Sequence, residues 1–208
     1  MNLDSQKRKG RGGRQVRALK TQMREAVRAE ILDAAEELIA THGLHGAALA
    51  QIARRAGVAV GTLYNYFADR DAMIRALFDS RRATLRPKLA AAVENASPLP
   101  FEKRLRQYMR DVFAAFDEHR RFVKVAIETE HLKLGPSQTA SEWLAQIETI
   151  VAAGVTEKVI DPKRASLVAM MVQGSLKAVL LRRVTEGGDF ISEADTIVDI
   201  ILDGARRS

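Results

Sequence analysis

Thr62, Tyr64, Asn65 and Tyr66 lie within five consecutive positions, and Arg70 follows four residues later. Hydroxyls, a carboxamide and a guanidinium in so short a run can hydrogen-bond base edges or phosphates. The chain offers little for catalysis. It has no cysteine, which removes thiolate nucleophiles, thiolate metal sites and disulfides. Its four histidines are scattered without ligand spacing such as HExxH, so no metal site is expected. No phosphate loop, nucleophile elbow or recognisable pair of carboxylates occurs, so the chain reads as a non-enzyme without a cofactor.

The charge is informative once it is located. The net charge is +7, but Lys7, Arg8, Lys9, Arg11, Arg14, Arg17, Lys20, Arg24 and Arg28 face only Asp4, Glu25 and Glu30 in residues 1–30. That segment carries +6 and the other 178 residues carry +1. A nearly neutral body with a basic arm points to a polyanion, either nucleic acid or an anionic membrane surface. The most apolar charge-free stretch, Ala165 to Leu176, is too short to span a bilayer. The basic N-terminus lacks the apolar core of a secretory signal, and the absence of cysteine suits a reducing compartment, so a cytoplasmic protein is expected.

The elements that must position these groups read as helices throughout. Hydrophobic residues make up 47% of the chain and aromatics only 5%, with Ala, Leu, Val, Ile and Met dominating, which favours helix over sheet. Residues 1–22, glycine-bearing and without apolar periodicity over most of their length, read as a disordered arm. Ile31, Ala34, Ala35, Leu38 and Ile39 share one face of a first helix that Gly43 should end. Leu49, Ile52, Ala53 and Ala56 mark a short second helix stopped by Gly57, and Leu63 and Phe67 mark a short third one. Helix, tight glycine turn, helix is the helix-turn-helix outline. Asp69 should cap a longer helix interrupted at Pro87, and Asn95–Pro100 is a linker. Beyond it lie a helix with an apolar stripe from Phe101 to Phe116, a segment from about Arg121 to Leu134, and one that Ser137 should cap. Asp161–Pro162 opens a helix to about Glu186 before Gly187–Gly188, and Ser192 with Asp195 resembles a capping box on the last one. The expectation is an all-α protein of about nine helices: arm 1–22, helix-turn-helix domain 23–68, larger helical domain 69–208.

Three pieces of this sequence, ILDAAEEL from Ile31 to Leu38, then His42–Gly43, then QIARRAGVAVGTLYNYFADRDAM from Gln51 to Met73, closely resemble the DNA-binding region of the TetR family of regulators. The resemblance covers roughly residues 28–78. It implies a recognition helix whose free face enters the major groove, with Gln51, Val60, Gly61, Thr62, Tyr64, Asn65, Tyr66 and Arg70 as DNA-contacting residues. Several positions depart from the family pattern. Ala47 and Ala48 stand where Thr or Ser is common, removing a side-chain cap worth about 1 kcal/mol. Ala59 replaces a common Ser, Val60 a frequently polar residue, and Arg70 stands where the family usually has a phosphate-contacting Lys. Apolar groups at 59 and 60 read thymine methyls, or else specificity rests on DNA shape.

The arm residues Arg8, Arg11, Arg14 and Arg17 are candidates for minor-groove contact, with plain electrostatic attraction as the alternative. Met109, Phe113, Phe116, Trp143, Met170 and Gln173 are candidate lining for an effector pocket; core packing is the alternative for each. Glu128 and His131 are further polar candidates there. Gly174, Ala178, Leu181, Ile197, Val198 and Ile201 match the helices that form the family's dimer interface, with packing inside one protomer as the alternative. The reading is a homodimeric regulator of transcription, a repressor released from near-palindromic operator DNA by a small, largely apolar effector. The alternative is a helical protein that coats nucleic acid or a membrane surface without sequence preference.

Overall fold

The computed structural model describes the backbone of residues 4–129 and 137–205, and the side chains of residues 14–129 and 143–204. Among the described residues there are nine α-helices and no strand, as the composition predicts. They are α1 (Asp4–Gly46), α2 (Leu49–Arg55), α3 (Val60–Tyr66), α4 (Arg70–Ala96), α5 (Phe101–Glu118), α6 (Arg120–Glu128), α7 (Ser137–Thr156), α8 (Ala165–Glu186) and α9 (Ala194–Ala205). The chain forms two compact units, Met1–Leu77 and Phe78–Ser208, so the division falls inside α4.

In the first unit α1 packs on α2 and α2 on α3. Ile31, Leu32, Ala35 and Ile39 of α1, Ile52 and Ala53 of α2, and Leu63 of α3 are buried, joined by Phe67, Met73 and Ile74. Each large member contributes about 2 kcal/mol by leaving water. Gly43 takes φ 72°, the left-handed conformation that ends the regular part of α1. Asp69 caps α4, its Oδ1 accepting from the Ala72 amide at 2.6 Å.

In the second unit α5 is central, packing on α7 and α9, while α8 packs on α7, α6 and α9. Phe101, Leu105, Tyr108, Met109, Val112 and Phe113 lie on one side of α5 at intervals of three and four, and all are fully buried. Glu157 at the end of α7 supports the start of α5, accepting from the Phe101 amide at 2.8 Å with Arg104 beside it. Asp161 caps the turn before α8 as expected, accepting from the Lys163 amide at 2.9 Å, and Gly187 at φ 83° closes that helix.

Four expectations meet a different structure. α1 runs back to Asp4 through the segment read as an irregular arm, and the run from Arg14 to Arg24 is rich in good helix formers. Pro87 does not interrupt α4, because Ala83, whose carbonyl loses its partner, is exposed to water like Pro87 itself. The last helix is entered by a 3-10 turn, Ile191–Glu193, capped by Asp189 and not by Ser192. Asp189 Oδ1 accepts from the amides of Ile191 at 2.6 Å and Ser192 at 2.7 Å. By length and composition, the helical stretch Pro162–Glu186 is long and apolar enough to cross a membrane, more than the charge-free run suggests. A third of its most apolar window is buried within the protein. The expected Ser137 cap, Gly135–Pro136 and His131 lie outside the described residues.

Gly154 of α7 tests this packing. A Cβ there would stand 2.8 Å from the ring atoms of fully buried Phe101. Gly154→Ala gains helix propensity of about 1 kcal/mol but forces the ring aside at a cost of about 1–3 kcal/mol. Denaturant unfolding is expected to show net destabilisation; a stabilised variant would show that the ring has room to yield.

Candidate nucleic-acid interface

The short helices α2 and α3 are too brief to persist alone and depend on what they pack against. α2 starts at Ala48, which has no capping side chain; Gln51 Oε1 instead accepts from the Ala48 amide at 3.1 Å. It ends in a Schellman turn, with the Val58 amide donating to Ala53 at 2.9 Å and that of Gly57 to Arg54 at 3.2 Å. Gly57 sits at φ 70°, a conformation that strains any side chain, and this reverses the chain from α2 into α3.

α3 is held from beneath by Leu63 and, just past its end, Phe67, which are 1% and 4% exposed. One turn apart, they turn the opposite face outward. Val60, Gly61, Tyr64 and Asn65 are exposed there, with Thr62 and Tyr66 half-buried at its edges. Val60 and Tyr64 are 41% and 50% exposed, high for apolar and aromatic groups on so small a domain. At Gly61 a Cβ would meet no atom within 4 Å, so nothing in this protein's own packing requires a glycine there. A glycine in a helix interior costs about 1 kcal/mol relative to alanine.

Around this face the cations divide by partner. Arg55 makes a two-pronged ion pair with Glu37 of α1, at 2.7 and 3.2 Å. Arg54 and Gln51 are exposed on α2. Arg24 and Arg28 of α1 lie over the rings of Tyr66 and Phe67, 5.7 and 5.6 Å from their centroids. Arg14 and Arg17 are exposed on α1, whereas the side chains of Arg8 and Arg11 lie outside the described residues. Arg70 Nη2 donates to the carbonyls of Leu44 and of Ala47, the latter at 2.8 Å, so its guanidinium holds the turn between α1 and α2. Sequence reasoning missed this seat, because donors aimed at backbone carbonyls leave no trace in residue type.

In the second unit the candidate pocket residues separate. Met109 and Phe113 are fully buried. Partly buried Phe116 and Trp143 pack ring to ring, with centroids 5.6 Å apart. Trp143 Nε1 donates to the hydroxyl of Tyr108 at 3.0 Å, and burial pushes that phenol above its ordinary pKa. Tyr108 was not foreseen; a buried tyrosine hydroxyl needs a partner, and the tryptophan 35 residues further along, on α7, supplies it. Glu128 is exposed, Gln173 half-buried and Met170 59% exposed, so Met170 stands apart from the aromatic group. The candidate interface residues also separate. Val198 and Ile201 are in the protomer's own core, Leu181 and Ile197 are half-buried, and Gly174 and Ala178 are exposed.

Residues 31–77 match the family model described as bacterial regulatory proteins, tetR family. Curated relatives include the HTH-type transcriptional regulator BetI of Paraburkholderia phytofirmans, 39% identical over 82 residues, which cover 37% of this chain and 42% of that protein. The chain thus matches less than half the length of that relative. Among solved structures, the fatty acid degradation regulator FadR of Bacillus halodurans has a TM-score of 0.73 at 23% identity, covering 88% of this chain and 97% of its own. The transcriptional regulator FadR of Bacillus subtilis, solved with stearoyl-CoA, has a TM-score of 0.66 at 19% identity, covering 86% and 99%. These likenesses show a shared fold along most of the chain.

The Arg70 clasp makes a direct prediction. Arg70→Ala strands two carbonyls and is expected to lower unfolding stability by about 1–3 kcal/mol in denaturant titration; a variant as stable as the parent would show that the clasp contributes nothing. With helix, glycine turn and outward-facing third helix in this arrangement, residues 31–77 match the model of the tetR family of bacterial regulatory proteins in sequence, and the geometry of that region is a helix-turn-helix.

Proposed function

We propose that this chain is a sequence-specific, duplex-DNA-binding regulator of transcription that acts as a homodimer and responds to a small effector. The carrying observation is the outward face of α3, where Val60, Gly61, Tyr64 and Asn65 stand exposed over the buried anchors Leu63 and Phe67. That face is uncharged and mixes apolar groups with the Tyr64 hydroxyl and the Asn65 carboxamide, suited to thymine methyls and to about one or two hydrogen bonds per half-site. Thr62 and Tyr66 flank it, and Gln51 is exposed on α2.

The dimer reading is supported by an unusual surface. Leu167, Met170 and Met171 of α8 are 59%, 59% and 42% exposed, Gly174 and Ala178 continue their line, and Ile200 of α9 is 65% exposed. Large apolar groups beside small residues suit close packing against a second copy of the two helices. Leu181 and Ile197 border this surface, whereas Val198 and Ile201 serve the protomer core. Two recognition helices related by a two-fold axis would then enter major grooves of a near-palindromic duplex.

The effector is small and largely apolar, held near Met109, Phe113, Phe116 and Trp143, with the Trp143–Tyr108 pair the nearest polar feature. It weakens operator binding only by favouring a dimer that fits the operator less well, which makes the protein a repressor. The site of action is the cytoplasm.

Selection from a random-sequence duplex pool at ~0.15 M salt tests the reading. The expected product is a motif of two inverted half-sites with centres about one helical turn apart, or a multiple of it. Recovery of unrelated sequences would instead support a protein that coats polyanions.

A further inference from the structure

The basic residues at the start of α1 form a line. Arg14, Arg17, Lys20, Arg24 and Arg28 follow one another at intervals of three, three, four and four, which confines them to about a third of the helix circumference. The same spacing continues into Ile31, Ala35 and Ile39, all fully buried against the helix-turn-helix core. One line of α1 is therefore basic where the helix projects beyond its partners and apolar where it packs on them. The stripe faces the side on which α3 lies, and Arg24 and Arg28 confirm this by stacking on Tyr66 and Phe67. Of the acids in this stretch, Glu30 lies on the far side of the helix and Glu25 at the edge of the stripe.

We infer that the exposed part of this stripe, Arg14, Arg17 and Lys20, is a rigid phosphate rail. It binds the sugar-phosphate backbone flanking the groove that α3 occupies, and does so by its helical geometry and not by net charge alone. The inference rests on the DNA-binding reading above. From Arg24 to Arg14 the helix rises about 15 Å, enough to reach phosphates that α3 itself does not approach. Because the rail is continuous with α1, it is pre-oriented and loses little freedom on binding. Val16, Leu19 and Met23 form a second, apolar line on another face, 54%, 58% and 63% exposed. A helix with both lines could also lie on an anionic membrane, but the stacking of Arg24 and Arg28 on α3 favours the duplex.

A charge-permuted chain tests the rail. Val16→Arg with Arg17→Val, and Leu19→Lys with Lys20→Leu, keep composition and net charge while moving two cations off the stripe. The log–log salt slope for binding a duplex recovered by selection is expected to become shallower by about two, with affinity falling about tenfold, and the recovered motif to stay the same. Ala18→Pro, which breaks the helix and keeps every charge, is expected to act in the same direction. Unchanged slope and affinity in both variants would overturn the rail and leave a non-specific charged arm. So would stripe-dependent binding to vesicles of one-third anionic lipid with none to duplex. Failure of the unaltered chain to select any motif would instead refute the DNA-binding reading itself.

Discussion

The burial of Leu63 and Phe67 beneath α3 is the constraint on which the rest of the N-terminal unit depends. Seven-residue helices are unstable by themselves, and neither α2 nor α3 has a capping side chain at its start. Their stability is tertiary, supplied by Ile31, Ala35 and Ile39 of α1 and Ile52 of α2. Two anchors one turn apart also fix the rotation of α3 about its axis. Which residues face outward is thus decided by which residues are buried, and the outward face needs no contacts of its own to be presented.

Charged groups support this arrangement from its edges. Arg55 ties α2 to Glu37, Arg70 ties the start of α4 to the turn before α2, and Arg24 and Arg28 shield the aromatic end of α3. Cations that composition alone would assign to a polyanion are in part employed inside the protein. Of the others, Arg14, Arg17 and Lys20 lie where a long helix leaves its partners behind. Position, more than number, separates the two groups.

Much of this was legible before the structure, for identifiable reasons. Gly43 and Gly57 announce left-handed turns, Asp69 and Asp161 announce caps, and the period of Leu63 and Phe67 announces which face of α3 is free. These are local rules acting within a few residues. What was not legible depends on distant partners or on solvent. Pro87 is tolerated because its unpaired carbonyl can face water. Asp189 displaces Ser192 as a cap because the chain tightens into a 3-10 turn first. Met170 shares the apolar character of Met109 but lies on the exposed side of α8, and residue type does not separate the two sides. The hydrophobic pattern of α8 is nearly continuous, so its period could not say which side meets α7 and which side stays exposed.

Gly61 connects the fold to the function. It occupies an exposed interior position of a short helix, open on the protein side, at a cost in stability that no internal contact repays. The account explains it as clearance for a duplex that approaches α3 closely. Gly61→Ala, with unfolding and binding to a selected duplex measured on the same sample, tests that claim most directly. The account predicts stability unchanged or raised by up to about 1 kcal/mol, with duplex affinity reduced about tenfold or more. Undiminished affinity in the alanine variant would contradict it, because the face of α3 would then not be where the DNA lies.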